Sequence, residues 1–176
     1  MLQASKQWQW IACADKNRLL LDLNDDMQLC TPYKLRLLTD SAFKNPYFSV
    51  EDAAFYEQVY NYLVGFNVWS PAKICQISLN ATAVKYHLKP VLAKSWFFKE
   101  YTGSDPSVEA IVKLTSKAQS GDFLIVEHCP DASICLNLSE DFKLDENLSL
   151  TQFEVVRILN NRVHPILNQQ YQSQTA

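Results

Sequence analysis

The rhythm of apolar and polar positions changes near Pro90, and that change organises the chain. Between residues 6 and 30 the rhythm is short: Trp8, Trp10 and Ala12 alternate with Gln7, Gln9 and Ile11. Asp15-Lys16-Asn17 supplies a turn, Arg18 to Leu23 a second strand, Asn24-Asp25-Asp26 another turn, and Met27 to Cys30 a third strand. Short strands joined by polar turns predict an antiparallel meander. Thr31-Pro32, Ser41 and Asn45-Pro46 mark residues 31–48 as a linker, with a helical turn around Lys34–Leu38.

Longer periods follow. Ser49 is placed to cap a helix, and Glu51 and Asp52 suit the positive end of its dipole. That helix runs to about Gly65. Ser70-Pro71 opens a second one, in which Ile74, Ile77, Ala81, Val84 and Leu88 share a face and Lys85 and Lys89 flank it. Pro90 ends it. Beyond Pro90, Ser95–Tyr101, Val108–Leu114, Asp122–Glu127 and Ser133–Leu138 are short runs rich in aromatic and β-branched residues. Thr102 to Pro106, Ser120-Gly121 and Pro130-Asp131 separate them, which predicts a small curled sheet or barrel. Thr151-Gln152-Phe153-Glu154 matches a capping box and predicts a final helix carrying Phe153, Val156, Leu159 and Val163. The whole is an α+β chain of two small domains, residues 1–92 and 93–170, with a polar tail at 171–176.

Composition narrows the possible functions. Apolar residues make up 48% of the 176, enough for a packed core. The net charge of −3 gives no long-range pull toward nucleic acid or an anionic membrane. It is unevenly spread: residues 1–92 hold nine basic and eight acidic groups, the remainder seven and eleven. Only three glycines argue against a loop that cradles phosphates. Met1 to Trp8 lacks an apolar stretch behind a basic start, and no window nears the roughly 18 apolar residues of a membrane span, so a cytoplasmic protein is expected. Five scattered cysteines predict free thiols.

Catalytic chemistry finds little support. His128 and Cys129 are neighbours, but strand neighbours point to opposite faces, which predicts an edge histidine beside a core cysteine. A metal site from His128, Cys129 and Cys135 lacks the paired spacing that zinc favours. The carboxylate pairs Asp25/Asp26, Glu140/Asp141 and Asp145/Glu146 fall in predicted turns, and Glu51/Asp52 at a helix start, with nothing to indicate burial. No catalytic residue, cofactor or metal is expected.

The richest segment is Lys85 to Lys99, with four lysines and four aromatic residues, at the sequence boundary between the halves. Three readings compete. It is a dipole-favoured helix end followed by a core strand, a binding surface for an acidic or amphipathic peptide, or a single-stranded nucleic-acid platform. The acidity of the chain weakens the last.

Lys-Tyr-His-Leu-Lys-Pro at 85–90 and Lys-Ser-Trp-Phe-Phe at 94–98 resemble the corresponding stretch of the ZapC family of bacterial cell-division proteins. So do Trp8-Gln9-Trp10, Leu20 to Leu23, Val50 to Tyr56, Phe123 to Glu127 and Ala132 to Leu136, in matching order and spacing. Residues 99–120 depart from that pattern. The resemblance implies an N-terminal α/β domain, a C-terminal twisted, barrel-like β domain and no enzymatic activity. It implies FtsZ, the tubulin-like GTPase of the division ring, as partner, with lateral bundling of its filaments at midcell by a monomer or a dimer. By the same resemblance Lys89 and Lys94 are contact residues, and at Leu21 the fold of the N-terminal domain matters for binding; Lys85, Trp96 and Phe98 complete the expected binding set. Two other classes stay open: a small-molecule hydrolase with a pocket in the β domain, and a single-stranded nucleic-acid module on Lys85–Lys99.

Overall fold

The computed structural model describes residues 1–103 and 111–166. The expected tail at 171–176 and the first part of the expected strand at 108–114 lie outside the described residues. The chain divides into two compact units: Met1–Gly65 with Trp69–Pro90, and Phe66–Val68 with the residues from Val91 on.

In the first unit, β1 (Gln9–Cys13), β2 (Arg18–Asp22) and β3 (Gln28–Cys30) form an antiparallel sheet in that order. Leu21 pairs with Trp10 on one side and Leu29 on the other. Leu19, Leu20 and Leu21 are all buried, so the central strand is covered on both faces. The turns between strands need left-handed backbone, and here Asn17, Asn24, Asp25 and Asp26 supply it at φ of 50° to 63°. Asn and Asp tolerate this region better than other side-chain-bearing residues, which is how a glycine-poor chain makes tight turns. The outer edge of β1 is closed by a loop: Trp10 N donates to Pro46 O (2.9 Å), and Phe48 N to Trp8 O (2.8 Å).

Helix α1 (Val50–Val64) starts at a true capping box, with Asp52 N bonded to Ser49 Oγ and Ser49 N to Asp52 Oδ2. Helix α2 (Pro71–His87) is capped by Ser70 and buries every residue from Ile77 to Val84. Its buried polar groups turn inward on the helix itself: Ser78 Oγ donates to Ile74 O, Thr82 Oγ1 to Ser78 O and Asn80 Nδ2 to Gln76 O. Such bonds satisfy polar groups that would otherwise cost free energy in the core.

In the second unit, β4 (Ile111–Thr115), β5 (Ser120–His128) and β6 (Ala132–Asn137) form consecutive antiparallel pairs, with a register shift between Ile125 and Glu127. β7 (Asp141–Lys143) pairs with β8 (Ser149–Thr151) as a separate ribbon. β9 (Val155–Leu159) adds to β6, and β10 (His164–Pro165) to β4. The core gathers Phe98, Phe123, Phe142, Leu150, Val156 and Ile158 with their neighbours. Buried Asn137 ties β6 to β8, its Nδ2 donating toward Leu150 O and Thr151 O. The outer edge of β9 is strapped by residues 93–95: Lys94 N donates to Arg157 O, and Leu159 N to Ser95 Oγ.

Four expectations are corrected. The sheet order is β10-β4-β5-β6-β9, and among the described residues no pairing joins its ends into a barrel. The final helix is instead β8, a turn and β9. Thr151 and Glu154 do bond reciprocally, but they close a turn in which Phe153 adopts φ 65°, and the β-branched Val155, Val156 and Ile158 then continue as strand. Ser95–Phe97 is a 3₁₀ turn rather than a strand. A strand would put Trp96 and Phe98 on one face, whereas the turn leaves Trp96 69% exposed and Phe98 4% exposed in the core. Cys129, expected in the core, is exposed.

Gly121 admits close approach: a Cβ there would meet the Phe142 ring at 2.6 Å. We expect Gly121→Ala to lower stability by about 1–3 kcal/mol, read as a fall in the urea midpoint, with Phe142→Leu in the same chain recovering part of the loss. The thiols should also separate by reactivity. Burial pushes the Cys135 thiol up to about 12, while Cys30 and Cys129 are exposed. Iodoacetamide at pH 8 should therefore alkylate Cys30 and Cys129 in the folded protein and reach Cys135 only on unfolding, as mass spectrometry would show.

Candidate protein-binding surfaces

The lysine- and aromatic-rich segment begins on the last turn of α2. Lys85 is not a free cation: its Nζ sits 4.0 Å from the centroid of the Phe55 ring on α1, and Phe55 meets Tyr86 edge-on at 6.0 Å. Stacking over a ring face holds an ammonium by its attraction to the ring quadrupole, so Lys85 helps join the two helices. His87, the last helical residue, is buried. Its Nε2 lies 3.4 Å from Asp52 Oδ1, close enough for attraction when the imidazole is protonated but not aligned as a hydrogen bond. The His87 ring also packs on Trp10 with centroids 4.8 Å apart. Asp52 is itself buried and accepts from Trp10 Nε1 (3.3 Å) and Ser49 N (2.9 Å) through Oδ2. The expectation of an unburied carboxylate at the start of this helix is thus corrected.

After His87 the chain leaves the helix and pairs with residues 37–39. Thr39 N donates to His87 O (2.9 Å), Leu38 bridges Leu88, and Lys89 N donates to Leu37 O (2.8 Å). Lys89 is exposed at the end of this short ladder, beside the half-exposed Leu37. Among the described residues no carboxylate lies within ion-pair distance of Lys89. Leu21 lies in the core of this unit and offers no surface.

In the second unit the segment continues as the strap along β9. Lys94 is half-buried, its amide spent on Arg157. Ser95 turns inward, and Trp96 projects outward with its ring 5.5 Å from that of Phe97. Leu92 is 82% exposed and Leu159, on β9, 44% exposed. Exposed Arg157, two residues before Leu159 on β9, bridges Ala93. Phe98 packs against Phe142 and Phe123 at 5.9 and 6.2 Å and belongs to the core, not the surface. Of the residues expected to bind, Lys89 and Trp96 are exposed and Lys94 is half-buried; Leu159 and Arg157, far off in sequence, come near that segment only through the strap.

Elsewhere the geometry favours structure over chemistry. Ser133 is fully buried; it donates to Asn160 Oδ1 (2.8 Å), so its contact with His128 Nδ1 (2.9 Å) places the proton on the histidine and leaves no activated hydroxyl. A groove of about 580 Å³ lies in the first unit, lined by Met1, Leu23, Met27, Leu29, Ala72 and Leu79 among others, with no carboxylate or imidazole in its lining. The Cys75 thiol in its lining is raised by burial, against a smaller opposing effect of its hydrogen bond with Tyr56. Among the described residues no group of three His, Cys, Asp or Glu could hold a metal, and no helix is long and apolar enough to cross a membrane.

These surfaces lie on a chain whose relatives share its length. A family model described as the N-terminal part of the cell-division protein ZapC matches residues 1–89, and one for the C-terminal part matches residues 90–169. The cell division protein ZapC of Pseudoalteromonas translucida is 77% identical over the full length of both chains. That of Aeromonas hydrophila is 38% identical, covering 93% of this chain and 92% of its own. That of Shewanella woodyi is 34% identical, covering 94% and 92%. Family models over nearly the whole chain, and relatives at this identity and coverage, leave one conclusion: the chain belongs to the ZapC family of cell-division proteins.

Proposed function

We propose that this protein binds polymerised FtsZ directly, links neighbouring filaments sideways and so stabilises the division ring at midcell, from the cytoplasm and without turning over a substrate. The observation that carries this reading is the match to both halves of the ZapC family together with 77% identity across the full length of one member. In this reading the binding groups sit on two domains, residues 1–92 and 93–170, with Lys89 and the exposed Leu37 on the first and Lys94 and Trp96 on the second. Bundling requires one molecule to touch two filaments, either as a monomer with a surface on each domain or as a dimer using one surface twice. Filaments of like charge repel, and unpaired lysines between them reduce that repulsion. Exposed apolar groups such as Trp96 then supply burial area, as aromatic anchors do at protein interfaces.

Lys85, Phe98 and Leu21 are assigned support of the fold rather than contact, since the first is held on Phe55 and the other two are in the core.

Co-sedimentation with polymerised FtsZ, beside FtsZ lacking its C-terminal peptide, tests the proposal. Lys89→Glu with Lys94→Glu should weaken pelleting about tenfold, in the range measured for charge pairs at interfaces. Wild-type pelleting should fall as salt is raised from low to physiological strength. A doubly reversed chain that pellets like wild type would sink the proposal. Trp96→Ala should cost about 1–2 kcal/mol of binding with the melting temperature unchanged, because the ring is already in solvent.

A further inference from the structure

Lys89 stands one residue beyond Leu88 and two beyond His87, outside the helix that carries the rest of its face. What fixes its place is a relay inside the first unit. Asp52 holds Trp10 through Oδ2 and faces His87 through Oδ1. His87 joins the two sides, its ring packed on Trp10 and its carbonyl accepting from Thr39 N. From that carbonyl the two-rung ladder to residues 37–39 runs directly to Lys89 N. The ring against Trp10 and the first rung of the ladder on which Lys89 sits thus belong to one residue.

The charged and titratable groups packed around this relay are few. From β1 comes the Trp10 indole, from α1 the Asp52 carboxylate, and from α2 the imidazole itself and the Tyr86 phenol, which is raised by burial and by Asp52. Asp52 is thus the sole carboxylate against the ring among the described contacts. Its remaining acceptor demand is met by the Ser49 amide, which belongs to the cap of α1. One carboxylate accordingly serves two purposes: it starts a helix, and it faces the end of another.

We propose that Asp52 is a positioning residue for partner binding, acting through His87 to fix the presentation of Lys89. The proposal rests on the FtsZ-binding reading above. It assigns to Asp52 a contribution to affinity beyond its contribution to fold.

A double-mutant cycle separates the two. Asp52→Asn keeps the size of the side chain and an oxygen acceptor for Trp10 and Ser49 while removing the charge that faces His87. FtsZ co-sedimentation is measured for wild type, Asp52→Asn, Lys89→Ala and the double variant, at a temperature where melting curves show each chain folded. We expect Asp52→Asn alone to weaken binding about fivefold, a size typical of coupled neighbours. In the Lys89→Ala background the same change should have no further effect. A merely structural role would lower binding by the same factor in both backgrounds, and that result overturns the proposal. So does Asp52→Asn binding like wild type, or Lys89→Ala binding like wild type. If Asp52→Asn does not fold, His87→Asn carries the same cycle, since it leaves the capping box of α1 intact. Wild-type protein that ignores FtsZ filaments would instead sink the function proposed above. That outcome is distinct from wild type that binds through Lys89 without coupling to Asp52.

Discussion

A carboxylate buried to the extent of Asp52 is tolerable only where its charge is met by donors. Here it is met by two donors, an indole N–H from β1 and the cap amide of its own helix, and by the positive end of the α1 dipole, while the edge of an imidazole from α2 lies 3.4 Å away without a hydrogen bond. No two of these come from adjacent stretches of chain except the cap. The sheet, the first helix and the end of the second helix must therefore all be in register for the carboxylate to be stable. Removing one partner leaves a buried charge short of compensation, which is costly, whereas the complete set stabilises a single arrangement. The first unit is organised about this point: Trp10 has no exposure, and Phe48 and His87 pack on its ring.

The second unit is held by a different kind of constraint. Its core is aromatic, with Phe98, Phe123 and Phe142 in mutual contact at 5.1 to 6.2 Å, and these rings leave room for no side chain at Gly121. Polar fixing is local and sits at strand ends. Asn137 joins β6 to β8, Ser116 Oγ donates to Lys143 O at 2.6 Å, and Arg162 meets Glu100 at 2.6 Å. The last of these is partly exposed and contributes little net stability. Packing of rings, rather than charge, fixes this unit.

Much of the first unit was legible because its signals are local. Ser49 and Ser70 announce helix starts by their own chemistry, and the spacing from Ile74 to Val84 is a helix period, although the helix is buried all round from Ile77 to Val84 and not on that face alone. The meander was legible for the same reason, with Asn and Asp at the turns. The lysine- and aromatic-rich segment stood out by composition, yet its geometry did not. Lys85 to Lys99 appears uniform in sequence but changes from helix to ladder to strap to 3₁₀ turn. Thr151 to Glu154 misled because only half of a capping box forms: the Glu154 carboxylate accepts from Thr151 N, but Glu154 N donates to the Thr151 carbonyl and closes a turn, after which the β-branched residues pair with β6. The Asp52–His87 contact spans residues 35 apart and had no local signature at all.

The loops that seal the sheet margins have a further consequence. Both β1 and β9 terminate their sheets, and an unprotected strand at such a margin invites another chain to add to it. Residues 45–48 and the strap at 93–95 occupy those main-chain groups. That occupation matters wherever copies of the chain are crowded: at these two margins a neighbour meets main-chain groups already paired, so copies can lie side by side without zipping into fibres there.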